Sequence, residues 1–401
     1  MQLSQLADTA GIISARLLRL DFAGIRRLMR VNRLFHPEEI VQNFSHMDKL
    51  AETIALPSAS PRPSPLPLAL RAIPETYEYL GQTHRLADHK TDRNVTAFLV
   101  IKGGAVLHED YRLGTAQDSL RISWSMSKSV TSLLLGALID HGLIPETALA
   151  EGVSDHIPTL KGSGYDGVTL QNVLNMASGV AFNEDYLDYH SDINRMGRIL
   201  GVGGSMDAFA ASLSRQWAPG TYNNYVSIDT HIIGMMIRAL TGRAITPLLM
   251  EHLLTPLGLE SDSTILTDSL GEPFVLGGLN MTTRDYARIA LMVLNRGRWN
   301  GKQIVSEGWI DRTTCQSAPP PSPQMAARTD GALGYGMQWW LPPEPEEGEV
   351  FGVGIYGQYM YIHRAHDVVI AQNAADTRFK EGDGAVNLQT LAMFRQIAKA
   401  L

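Results

Sequence analysis

Residues 124–142 read Trp-Ser-Met-Ser-Lys-Ser-Val-Thr-Ser-Leu-Leu-Leu-Gly-Ala-Leu-Ile-Asp-His-Gly. Val130, Leu133, Leu134, Ala137 and Leu138 recur at helical spacing, and Gly142 stands where a helix end calls for a left-handed residue. The stretch predicts a helix with Ser125 in its first turn and Lys128 three residues on, projecting from the same face. That pairing has a chemical use. A serine hydroxyl is a poor nucleophile until something takes its proton. A lysine can take it if desolvation or a nearby cation keeps the amine neutral. The helix N-terminus adds free N–H groups and a positive dipole end, which favour negative charge at Ser125. Alone, the tetrapeptide is a weak signal. With eight lysines in the chain and serine at about 6–7% of residues, one Ser-x-x-Lys arises by chance about half the time.

Upstream, residues 95–101 are apolar and β-branched, Gly103-Gly104 turns the chain, and 105–111 returns, which reads as a hairpin. Residues 57–74 carry Pro57, Pro61, Pro63, Pro65, Pro67 and Pro74, a density that forces extended chain and reads as a linker or a strap over the surface. Residues 1–55 read as helical, with Leu17, Leu18, Leu20, Phe22 and Ile25 close to one stripe. Downstream, residues 145–290 are mostly helical patterns broken by glycine and proline, among them 169–176 and 228–240. Strand patterns return at 334–341, 357–363 and 367–372, and 386–401 reads as a closing helix. Strands at both ends with helices between them predict an α+β fold. It is an antiparallel sheet flanked by N- and C-terminal helices, with an inserted, mostly helical subdomain. The expected parts are a helical extension and strap over 1–74, a sheet subdomain from 75–120 and 290–401, and a helical subdomain over 121–289, with the active site between the last two.

Composition narrows the function classes. The 401 residues carry a net charge of −7, which argues against binding to a phosphate backbone. One cysteine, Cys315, excludes an intrachain disulfide and reads as a small core residue. The first residues lack the pattern of a signal peptide and no run reaches about 18 apolar residues, so a soluble, cytoplasmic protein without membrane contact is expected. There is no Gly-x-Ser-x-Gly elbow, no His-Glu-x-x-His and no phosphate loop. His363 and His366 flank a strand turn and read as surface residues rather than ligands. No metal or organic cofactor is implied. The expected partner is a small-molecule substrate, and a homodimer is compatible with the sequence.

Three further segments give the box a setting. Leu174-Asn175-Met176-Ala177-Ser178-Gly179 follows it. Pro219-Gly220-Thr221 precedes Tyr225-Val226-Ser227, and Phe351-Gly352-Val353-Gly354-Ile355-Tyr356-Gly357-Gln358 enters a late strand. In this order they resemble the β-lactamase-like serine hydrolases, which include class C β-lactamases, D-Ala-D-Ala peptidases, family VIII carboxylesterases and 6-aminohexanoate-dimer hydrolases. Asn43-Phe44-Ser45-His46-Met47, the residues 124–129, Asn183-Glu184-Asp185-Tyr186 and Tyr356-Gly357-Gln358 are similar to the 6-aminohexanoate-dimer hydrolase branch in particular.

The resemblance implies hydrolysis of a small ester or short linear amide through an acyl-Ser125 intermediate. Lys128 would be base or proton relay, and the Tyr225 phenol would carry the proton to the leaving group. The oxyanion would be held by the N–H groups of Ser125 and Ile355, with Gln358 the competing second donor. Tyr186, Ser227 and Gly354 would meet substrate. Tyr186 would hydrogen-bond the amide nitrogen, and its acidic neighbours would contact an amine end. Three positions depart from the superfamily pattern. Ser227 replaces the asparagine of the Tyr-x-Asn box, Gly352 stands where a lysine is usual, and Met176 replaces a histidine. The missing lysine counts against the alternatives, a D-Ala-D-Ala peptidase or a β-lactamase. A penicillin-recognising sensor without turnover is a further alternative.

Overall fold

The strand Val95–Lys102 is buried along all but its last residue, so both of its faces need cover. In a computed structural model of the chain, which describes residues 8, 10–14, 22–58 and 63–401, this strand lies inside a seven-stranded antiparallel sheet. The order is Gly334–Gly336, Trp339–Leu341, Glu349–Gly354, Gln358–His363, Val368–Ala374, Val95–Lys102 and Ala105–Tyr111. The early hairpin joins the late strands through the Val95–Lys102 and Val368–Ala374 pair, with Ile101 opposite Val369.

Alternation along each strand splits the side chains between two cores. Phe98 and Val100 pack with Tyr361, Ile370 and Phe394, the last from the closing helix Ala385–Ala400. Leu99 and Ile101 join Ile362 and Val369 in the larger core, together with residues of the helices Met126–Asp140 and Thr283–Leu294. Met126–Asp140 is buried from Met126 through Leu138. It sits so close to its neighbour that a Cβ at Gly136 would stand 2.5 Å from the Trp309 ring.

Residues 67–71 of the proline strap run along the outer edge of the sheet. Leu68 bridges Val106, and Ala69 and Arg71 donate N–H bonds to the carbonyls of Val106 and Leu107. An extended segment poor in donors thus covers strand-edge groups that would otherwise be open to another chain.

The structure corrects four readings. Residues 53–56 form a strand, Thr53–Leu56, not helix. It belongs to a second antiparallel sheet with Ser263–Leu266, Leu279–Met281 and Arg121–Ile122, so the central region is less purely helical than its pattern suggests. Cys315 is exposed, just past the end of the helix Glu307–Thr313, and is no core residue. His363 is fully buried rather than at the surface. Leu17, Leu18 and Leu20 of the expected N-terminal stripe lie outside the described residues. Among the described residues no single helix is long and apolar enough to cross a membrane.

Candidate active site

Ser125 caps the N-terminus of Met126–Asp140, and Lys128 Nζ lies 2.8 Å from its Oγ. The amine also donates to Ser227 Oγ at 3.2 Å and to the Leu276 carbonyl at 3.1 Å. Lys128 is 2% exposed and has no carboxylate within ion-pair reach among the described residues. Desolvation therefore dominates and brings its pKa down to about 7, opposed by the more distant charges of Glu184 and Asp229. Near neutral pH a large fraction of the amine is uncharged and can accept the Ser125 proton.

Tyr225 packs beside this pair. Its ring centroid lies 5.2 Å from Lys128 Nζ, and the Ser125 hydroxyl nearby works slightly against the rise of its phenol pKa. Trp340 stacks on the ring at 5.3 Å, and Tyr335 meets it edge-on. The loop carrying Tyr225 is pinned by Asn223, which donates its N–H to the Pro320 carbonyl and its side-chain amide to the Asn175 carbonyl. Burial, and then the Glu184 charge, raise the phenol pKa, which keeps the hydroxyl protonated.

The second candidate oxyanion donor comes from the far sheet. A Cβ at Gly354 would lie 2.3 Å from the Ser123 carbonyl oxygen, so only glycine lets this strand end reach the backbone ahead of Ser125. Ile355 follows in the turn between Glu349–Gly354 and Gln358–His363. Among the described residues neither the Ser125 N–H nor the Ile355 N–H has an acceptor. Trp124, just before Ser125, and Tyr356, just after Ile355, both adopt left-handed φ values of 43° and 61°. Strain of this kind, held in place by packing, gathers where backbone groups must be aimed. Gln358 does something else. Its side chain donates to the carbonyls of Ile355, Tyr356 and Ala374 and accepts from Asn373 and Ala374, so it braces the turn from behind.

Two cavities meet at Ser125, and Tyr186, Leu187 and Ile355 also line both. One, of about 600 Å³, is the more polar of the two, with Glu184, Asp185, Arg328, Asp330 and Lys380 among the apolar residues on its walls. The other, of about 400 Å³, is apolar and is walled by Leu34, Phe35, Met47, Leu50, Met196 and Leu276. The N-terminal segment therefore contributes to the pocket.

The sequence profile of the β-lactamase family matches residues 83–385. The chain belongs to the β-lactamase family. It is 32% identical over 354 residues to the 6-aminohexanoate-dimer hydrolase of Paenarthrobacter ureafaciens, an alignment covering 84% of this chain and 87% of that protein. It shares its fold with a putative 6-aminohexanoate-dimer hydrolase from Bacillus anthracis, at 21% identity, a TM-score of 0.77, and 91% and 95% of the two chains. A family VIII carboxylesterase superimposes with a TM-score of 0.54 at 16% identity, covering 77% and 95%. This β-lactamase-family chain is a serine hydrolase of the amide- and ester-cleaving kind.

Within the family frame, the structure brings Ser125, Lys128, Tyr225, Ser227 and Tyr186 together and sets Gly354 and Ile355 against them. Ser227 differs from its expected place as an open substrate contact. It is 1% exposed, and its hydroxyl and N–H are both taken by the Glu184 carboxylate, at 2.5 and 3.0 Å. The Tyr186 hydroxyl donates to the same carboxylate at 2.7 Å. Glu184, expected among the acidic neighbours of Tyr186 as a contact for an amine end, is instead engaged by Ser227 and Tyr186. One acid escaped the sequence reading. Asp229 is fully buried, bonded to the Tyr165 hydroxyl at 2.7 Å, and raised by burial to a pKa of about 7. Its only sequence signal is its place two residues after Ser227. At Gly352 a Cβ would stand 3.2 Å from Ser129 Oγ and 3.3 Å from Met360 Cε, so a side chain there would require those two to shift by a few tenths of an ångström.

Proposed function

We propose that the chain hydrolyses short linear amides with a flexible methylene chain, in the manner of a 6-aminohexanoate dimer, together with small esters. The carrying observation is the 2.8 Å contact between Ser125 and a buried Lys128 of pKa about 7, at the junction of an apolar cavity and one with charged residues on its walls. In this reading neutral Lys128 takes the Ser125 proton as Oγ attacks the carbonyl carbon. The developing oxyanion is held by the N–H groups of Ser125 and Ile355. The Tyr225 phenol delivers a proton to the leaving group, and Lys128 returns one to the relay. Water then enters and the same groups run in reverse to release the acid.

The methylene chain suits the apolar cavity, and an ammonium end suits Glu184 and Asp185 on the polar side. In this scheme the sheet subdomain (75–120 with 290–401) supplies Ile355, the 121–289 subdomain supplies Ser125, Lys128 and Tyr225, and the 1–74 extension supplies part of the apolar cavity wall. The absence of an ammonium at position 352 disfavours substrates recognised by a carboxylate there.

The test is a parallel assay on p-nitrophenyl acetate, the linear dimer of 6-aminohexanoate, and nitrocefin. Ester and dimer should be turned over, both activities should vanish in Ser125→Ala, and nitrocefin should be the poorest substrate. Nitrocefin turnover exceeding the other two, or full activity in Ser125→Ala, would refute the reading.

A further inference from the structure

We infer that Glu346, His363 and His366 form a binding site for a divalent transition-metal ion of the Zn²⁺ type, remote from Ser125. One ligand atom from each residue lies within 4.8 Å of the others. Nε2 of His363 is 3.6 Å from Glu346 Oε2, and Nε2 of His366 is 3.4 Å from the same oxygen. Those spacings are long for hydrogen bonds. They suit a tetrahedral ion, because ligand bonds of about 2.0–2.2 Å set neighbouring ligand atoms roughly 3.3–3.5 Å apart.

His363 supplies the independent observation. Its side chain is fully buried, and neither ring nitrogen has a hydrogen-bond partner. A buried imidazole left so is costly unless something binds it, and a metal ion at Nε2 would. The local chain builds the pair. The single 3-10 turn Arg364–His366, ended by left-handed Asp367, brings His366 back beside His363, with ring centroids 4.5 Å apart. Glu346 is oriented from outside. Lys399 of the closing helix holds Oε1 at 2.6 Å, which leaves Oε2 turned toward both imidazoles. Glu346 and His366 are each about one-third exposed, so an ion can enter and keep a water as its fourth ligand. Two neutral imidazoles and one carboxylate are a ligand set that zinc favours over magnesium.

The site lies at the far end of the strand Gln358–His363 from the turn that carries Ile355, about 17 Å along the strand at a rise of about 3.4 Å per residue. Its role is therefore to clamp. It ties the hairpin to the loop of Glu346 and, through Lys399, to the last helix.

The test uses the full chain after dialysis against a chelator. ZnCl₂ is titrated by calorimetry and CoCl₂ by visible absorption, with MgCl₂ as the contrasting ion. The expected result is one Zn²⁺ per chain, d–d bands of a low-coordinate Co²⁺, and no Mg²⁺ binding. His366→Ala and Glu346→Gln, both at partly exposed positions, should keep the wild-type circular dichroism and weaken Zn²⁺ binding at least about tenfold. No saturable Zn²⁺ binding, or equal affinity in the two variants, would overturn the assignment. Because none of these readouts is hydrolysis, failure here leaves the hydrolase reading untouched.

Discussion

Two lysines are buried in this protein, and their surroundings treat them differently. Lys90, 7% exposed, keeps its charge company. Asp110 sits 3.1 Å away and His108 3.2 Å away, so the carboxylate works against the downward pull of desolvation. Lys128, 2% exposed, meets only hydroxyls and a carbonyl. The carboxylate that could pair with it, Glu184, is occupied by Ser227 and Tyr186. A lysine near a free acid is a structural cation. A lysine whose nearest acid is diverted by two hydroxyls is a base in waiting.

The largest expected effect separates the two directly. Lys128→Ala should reduce ester hydrolysis by at least about 10³-fold, since the serine then has no proton acceptor. Lys90→Ala should leave kcat/KM within about twofold in folded protein. Comparable losses in both would erase the distinction.

The pH profile comes next. With Lys128 titrating at about 7, its neutral fraction falls tenfold per unit below that value. Ester kcat/KM should rise with pH, level off above about pH 8, and stand about a hundredfold below the plateau at pH 5. A profile flat from pH 5 to 8 contradicts a neutral Lys128 as the base.

Tyr186→Phe should cut amide hydrolysis by roughly 5- to 150-fold, the worth of one transition-state hydrogen bond of about 1–3 kcal/mol. The p-nitrophenyl ester, whose leaving group needs little proton help, should be nearly unaffected. Equal losses on both substrates would assign the tyrosine a general packing role.

Glu184→Gln keeps an acceptor for Ser227 but removes a charge that raises the Lys128 pKa. The ester pH profile should shift to lower pH, by less than about one unit for a charge screened by intervening groups. A shift the other way would mean that Glu184 does not act on Lys128 by charge.

The smallest effect concerns stability. The folded pKa of Lys128 lies below its ordinary 10.5, so between about pH 7 and 10.5 the unfolded chain binds the extra proton and stability rises with pH. Lys128→Met should therefore raise Tm by a few degrees at pH 6 to 7, and the gain should shrink toward pH 10. Lys90→Met, which strands Asp110, should lower Tm instead. Differential scanning calorimetry at the two pH values distinguishes the cases.

Reading the sequence alone reached the nucleophile helix because its information is local. Ser125 and Lys128 are one turn apart, and helical geometry puts them on one face whatever surrounds them. It also reached the hairpins and the strap, whose turn residues and prolines are short-range signals, while Tyr225 came only through the family resemblance. Ile355 was already preferred over Gln358 from the resemblance and its glycine-rich turn; what the tertiary structure adds is that the Gln358 side chain turns inward to brace the backbone. Tertiary structure alone decided the rest. The strand 53–56 exists because it pairs with residues 263–266, a register no local pattern contains. Glu184 reaches Ser227 across 43 residues of chain. His363 is buried while the turn that follows it, residues 364–367, is not, a difference no local pattern contains. The pKa of Lys128 belongs to this second group too. An amine's charge depends on which distant groups exclude water from it and which acids stay away, and both are settled only when the chain has folded.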